Sequence, residues 1–140
     1  MAIVTLFSGT FCHGEDIGRA VSEQLGYEHI TSVVIEETVR RFQISDEKIR
    51  RTIYGPMFFW NNFTHEREKN LACLKVVLAE LIEDDDKLID GFLSHLVPME
   101  ISHALHVCII ANFPYRIQRA TAETGESEKE VTKRLRRSDE

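Results

Sequence analysis

The sequence predicts an α/β fold, a parallel sheet of about four strands flanked by helices. Three observations carry that prediction. Apolar runs at residues 2–8, 87–93 and 105–111 alternate with segments of helical periodicity. The central runs are nearly continuous in apolar residues, the pattern of strands covered on both faces. Gly26, Gly55-Pro56, Pro114 and Gly125 stand at the joints between segments.

The elements follow in order. Residues 2–8 read as a buried strand. Residues 15–25 read as a helix with Ile17, Ala20, Val21 and Leu25 on one face and Gly26 as its stop. Tyr27 to Thr31 reads as a second, short strand. Residues 33–41 and 46–54 read as short helices, the latter capped by Ser45. Gly55-Pro56 breaks the pattern before an aromatic cluster, Phe58, Phe59, Trp60 and Phe63. Such a cluster serves as core, as a flap that stacks on a base, or as a partner-facing patch, and a dimer interface is the preferred reading.

Thr64 is positioned to cap a long helix reaching about Ile82, with Leu71, Leu74, Leu78 and Leu81 inward. Glu83-Asp84-Asp85-Asp86 makes a solvated turn. Lys87 to Leu93 and Leu105 to Ala111 complete the strands. Pro114 suits the first turn of a further helix that Gly125 ends. Ser127 and Glu130 form a capping box for a last helix rich in Lys and Arg. With no repeat, linker or low-complexity tract, residues 1–140 read as a single domain.

Composition narrows the class. Hydrophobic residues make up 43% and charged residues 29%, the balance of a globular chain. A net charge of −6 argues against nucleic acid and against anionic membrane as partners, because both demand a basic face. No run is long enough to span a membrane, and the first strand lacks the basic start of a signal peptide. Cys12, Cys73 and Cys108 show neither metal spacing nor a disulfide framework, which points to a cytoplasmic protein.

The most informative stretch runs from Gly9 to Gly18. It places a strand, a glycine-bounded loop and a helix in succession, the layout of a P-loop. The spacing Gly9-x4-Gly14 fits, but Glu15 and Asp16 stand where Lys and Ser or Thr would follow. Backbone N–H groups over Gly9, Thr10, His13 and Gly14, with the helix start at Glu15 and Asp16, make the candidate nucleotide-binding set. Like charges about 4 Å apart repel by about 4 kcal/mol at an effective dielectric near 20. A helix end offers about 0.3–2 kcal/mol of attraction in return. Acids in a first turn also serve simply as helix starters; on either reading the helix dipole is already answered. A Cys12-His13 activated thiol is the weaker alternative, since adjacent side chains seldom face each other productively.

Three segments together resemble the bacterial cytidylate kinase-like family of nucleoside monophosphate kinases. They are Gly14-Glu15-Asp16-Ile17-Gly18-Arg19-Ala20 through Gln24-Leu25-Gly26-Tyr27, Leu105-His106-Val107-Cys108-Ile109-Ile110-Ala111 with Pro114-Tyr115-Arg116-Ile117-Gln118-Arg119, and Gly125-Glu126-Ser127-Glu128-Lys129-Glu130 with the basic helix to Arg137. The last is similar to the family's mobile lid. Leu88-Ile89-Asp90-Gly91-Phe92 adds an echo of the segment ending the third strand in adenylate kinases. The resemblance covers residues 3–140 and implies a P-loop kinase-like fold in truncated form, since family members run longer. It implies either a portion of a longer protein or a reduced module, with dimerisation or a fused signalling domain covering an open sheet edge.

The resemblance also implies chemistry: transfer of a phosphoryl group from ATP, with Mg2+, to a nucleoside monophosphate. Asp90 would hold the metal through water, the alternative being an Asp that begins a turn with Gly91. Arg116, Arg119 and Arg134 would neutralise phosphate, the alternative being a solvated surface paired with Glu123, Glu126 and Glu130; Arg137 reads as solvated. Leu93 and Ser94 replace the Pro and Arg that continue the adenylate kinase pattern. The acidic loop lowers the expected activity, so the expectation is a kinase-like fold with weak or absent catalysis. The alternative is a pseudokinase-like regulatory or sensing module that binds a nucleotide, another small ligand or a partner.

Overall fold

The computed structural model describes residues 2–55 and 65–139. A four-stranded parallel sheet has the order β2-β3-β1-β4. Strand β1 spans Ile3–Ser8, β2 Glu28–His29, β3 Lys87–Asp90 and β4 Ala104–Ile109. Helix α1 spans Gly14–Leu25, α2 Thr31–Phe42, α3 Asp46–Tyr54, α4 Glu66–Leu81, α5 Phe113–Thr124 and α6 Glu128–Asp139. The parallel α/β architecture is the one expected from the sequence.

β1 lies in the middle, with Leu6 opposite Asp90 of β3 and Val107 of β4. Parallel pairing sends all strand ends to one edge, so Ser8, His29, Asp90 and Ile109 gather there. Ligands in open α/β sheets bind outside that carboxyl edge. Ile3, Ile30, Val34, Ile49, Leu74, Leu78 and Ile89 form the main core, with Leu71 and Leu81 packed against it as the helical spacing foretold. A second small cluster, Ala120, Val131 and Leu135, joins α5 to α6 and takes in Phe11 of the loop.

Several local signals act as expected. Gly26 and Gly125 close α1 and α5 in the left-handed conformation. The Ser45 hydroxyl accepts from Lys48 N, and Asn112 caps α5 ahead of Pro114. Ser127 and Glu130 make the reciprocal capping bonds. The aromatic cluster and Thr64 lie outside the described residues; the residue before α4 that is described, His65, is left-handed at φ 49.

Three expectations are corrected. The face of α1 turned inward is Gly14, Gly18 and Ser22, while Ile17 and Leu25 are 37% and 53% exposed. α1 lies close over the sheet: a Cβ on Gly14 would fall 2.0 Å from Ser8 Oγ, and one on Gly18 would already stand in van der Waals contact with Asp90 Oδ2 at 3.5 Å and Leu88 Cδ2 at 3.6 Å. β3 stops at Asp90 rather than Leu93, because the chain turns at Gly91 into a 3-10 helix over Gly91–Leu96. β4, though apolar, is an edge strand with Leu105 58% exposed.

Candidate functional site

The loop between β1 and α1 is tight and strained. Gly9 N donates to Ile109 O at 3.1 Å, which ties the loop to β4, and Cys12 N donates to Gly9 O at 3.2 Å. The left-handed residues are Phe11 and His13, at φ 61 and 60, not the two motif glycines. Non-glycine residues hold that conformation only where the surroundings enforce it. Gly14 is required for space: a Cβ there would fall 2.0 Å from Ser8 Oγ. Cys12 is buried, with Sγ 3.7 Å from Thr10 O, and does not pair with His13.

His13 turns instead to Asp16, with Nδ1 3.3 Å from Asp16 Oδ2, and Arg19 donates to Asp16 Oδ1 at 2.7 Å. These bonds, His13 first, hold the Asp16 carboxyl below its ordinary range. Glu15 is exposed and lines a cleft of about 470 Å³ at the carboxyl edge, bounded by the loop, α2 and α3. Glu36, Arg50, Tyr54 and Asp90 share its wall. Arg50 donates to Asp46 at 2.6 Å, and that bond pulls its pKa up. The cleft thus carries the carboxylates of Glu15, Glu36 and Asp90 against one guanidinium that already holds an acid.

Asp90 sits at the floor with its side chain 12% exposed, and His29 Nε2 lies 3.0 Å from Oδ1. Thr31 donates its hydroxyl to the same Oδ1 at 2.5 Å and accepts from Asp90 N at 2.9 Å. Thr31 thereby pins the end of β3 to the start of α2. No group of three His, Cys, Asp or Glu able to hold a metal ion occurs among the described residues. With Asp90 Oδ1 engaged and Asp16 in place of a hydroxyl, these side chains do not build a first coordination shell for magnesium. A nucleotide's own phosphates would have to supply it.

Arg116, Arg119 and Arg134, expected from the resemblance to neutralise phosphate, lie on α5 and α6, and each holds a carboxylate of the chain. Arg119 Nε pairs with Glu123 at 2.7 Å and Arg134 Nη1 with Glu126 at 2.9 Å. Arg134 also stands 5.4 Å over the Phe11 ring. Arg116 is 8% exposed. Its Nη1 and Nη2 donate to the two oxygens of Asp139 at 2.8 and 2.8 Å, and Nε donates to Thr10 O at 2.9 Å. The Asp139 bond raises the Arg116 pKa, and the same bond lowers that of Asp139.

The structure brings Gly9, Thr10, Gly14, Glu15 and Asp90 to one edge and joins Arg116 to the loop. Arg119 and Glu123 border a second hollow, of about 320 Å³, together with His13 and Asp16. Sequence reasoning missed Asp139, His29 and Thr31. Asp139 looked like one more charge on a charged helix. The Thr31–Asp90 contact joins residues 59 apart and leaves no local pattern.

A model of the cytidylate kinase-like family matches residues 3–140. Two solved structures share the fold. An uncharacterized protein from Eubacterium ventriosum superposes with a TM-score of 0.63 at 9% identity, over 99% of this chain and 71% of that one. TT1252 from Thermus thermophilus superposes with a TM-score of 0.52 at 15% identity, over 96% of this chain and 78% of that one. Identities this low speak for the architecture alone. No curated protein matches the chain.

Proposed function

The chain belongs to the cytidylate kinase-like family, and on that premise we propose that it is a nucleotide-binding module with weak or absent phosphoryl transfer. One observation carries the reading. Arg19, Arg116, Arg119 and Arg134, the guanidiniums around the loop, each hold a carboxylate of the chain itself. Phosphoryl transfer depends on free positive charge around the transferring group. Here a nucleotide would have to displace internal ion pairs before it gained any.

In this reading the backbone of Thr10, His13 and Gly14 faces the phosphates, beside Glu15 and Asp16, while Gly9 N stays tied to Ile109 O and only shapes the turn. Asp90 reaches a nucleotide-borne magnesium only through water. Arg116, Arg119 and Arg134 neutralise charge only after release from their partners. The three carboxylates of the cleft disfavour a dianionic monophosphate as acceptor, at about 1–4 kcal/mol for each pair of like charges near 4 Å. The second reading, a regulatory module, is favoured by the same pairing. We place the protein in the cytoplasm on the strength of its three free cysteines. The exposed β4 edge supports a homodimer or a fused domain that covers it.

Calorimetry with Mg-ATP and with CMP, joined to a turnover assay, tests the proposal. The expected result is ATP binding weaker than micromolar and no measurable phosphoryl transfer. Tight binding of both nucleotides with steady turnover would overturn it.

A further inference from the structure

The end of α6 is held to the loop directly by Ser138 and indirectly through Arg116 of α5, while Phe11 of the loop packs between the two helices. Asp139 occupies both Arg116 Nη atoms, and Ser138 Oγ lies 3.2 Å from Thr10 Oγ1. Phe11, left-handed at φ 61, packs into the small cluster that α5 and α6 share. Arg116 is almost fully buried and bonds to the loop carbonyl of Thr10 as well. A guanidinium in that position is costly without an anion, so its seat must stay filled.

Asp139 is an unusual occupant. Its carboxylate stands at the C-terminal end of α6, where the helix dipole is itself negative and favours cations. Its side chain is still 44% exposed, so water and solutes reach it. A dipole-disfavoured, solvent-reachable carboxylate on a buried guanidinium is an anion poised for replacement. A phosphoryl group offers more charge and more acceptor oxygens to the same fork of N–H donors.

We propose that the Arg116 seat is an exchangeable anion site, filled within the chain by Asp139 and taken by the phosphoryl group of a phosphorylated small molecule. Exchange frees the last turn of α6 from the loop. Ligand arrival is thereby converted into release of a helix, through a contact that the chain makes with itself. The inference rests on the reading of the loop as a phosphate-facing segment, but it concerns who holds Arg116, not whether phosphate is transferred.

Inorganic pyrophosphate is the probe. In the wild-type chain, pyrophosphate is expected to raise amide hydrogen exchange across residues 133–139 and leave the sheet unchanged. Asp139→Asn should bind pyrophosphate at least about tenfold tighter and show that fast exchange without ligand. Arg116→Gln, checked for folding by circular dichroism, should lose the binding. Unchanged exchange in the wild type on pyrophosphate binding, or equal affinity in wild type and Asp139→Asn, would overturn the proposal. ATP binding that leaves α6 protected refutes the exchange while sparing nucleotide binding. Pyrophosphate-driven release in a chain that ignores ATP does the reverse.

Discussion

Gly14 lies against Ser8 so closely that a Cβ on Gly14 would stand 2.0 Å from the Ser8 hydroxyl oxygen and 2.4 Å from its Cβ. The second glycine of the motif is therefore fixed by the approach of α1 to the end of β1. Gly14→Ala should destabilise the fold by about 1–3 kcal/mol, the cost of overpacking. Ser8→Gly in the same chain should recover much of that loss, because it removes both clashing atoms. Urea melts of the two single variants and the double variant check the coupling. Additive losses would mean that Gly14 is needed for something other than space.

The first-turn acids give a gain-of-binding prediction. Glu15 faces the cleft, and Asp16 is held by His13 and Arg19. Glu15→Lys with Asp16→Thr exchanges two negative charges for one positive charge and a hydroxyl. It also releases Arg19. ATP affinity should rise by at least about tenfold, since a single like-charge contact near 4 Å amounts to about 1–4 kcal/mol. Calorimetry reads the change directly, and an unchanged affinity would remove the electrostatic account of the loop.

Much of this fold was written locally. Gly26, Ser45, Pro114, Gly125 and the Ser127–Glu130 pair each mark a helix end through backbone chemistry confined to a few residues, and each does so in the structure. The inward face of α1 was not legible. Helical periodicity finds apolar side chains, but the distance of α1 from the sheet selects Gly14, Gly18 and Ser22. The edge position of β4 escaped for a related reason, because an apolar run looks the same in the middle of a sheet and at its border. At the site, residue types were legible and their partners were not. Arg116 and Asp139 are 23 apart, and nothing in a charged helix tells which acid will meet which base.

Thr31 tests how Asp90 is held. Its hydroxyl donates to Asp90 Oδ1 and accepts from Asp90 N, so one side chain satisfies two groups at the end of β3. Thr31→Val keeps the shape and deletes both bonds, leaving a nearly buried carboxylate with His29 as its remaining close partner at Oδ1. A loss of about 1–3 kcal/mol is expected, the cost of an unsatisfied buried polar group. Thr31→Ser should retain most of the stability. If valine and serine behave alike in denaturant melts, the hydroxyl contributes nothing.

The Arg116–Asp139 pair sets a pH dependence whose direction can be worked out. Asp139 is shifted below its ordinary value of 3.8, chiefly by its hydrogen bond from Arg116. A carboxyl whose folded pKa is depressed favours the docked state fully above its ordinary value, and that contribution is lost as the pH falls through the depressed one. Arg116 is shifted upward from an already high value, so no loss follows near neutrality. The charged group that faces the carboxylate is the Arg116 guanidinium, bonded to both of its oxygens. Docking of α6 should therefore hold steady from neutral pH to about 5 and weaken below about 4. Amide exchange across residues 133–139, corrected for its intrinsic pH dependence, follows the change. In Asp139→Asn the step should vanish and the helix end should exchange fast throughout. Should the acid step persist in that variant, another carboxylate governs α6, and Glu126 beside Arg134 becomes the next one to replace.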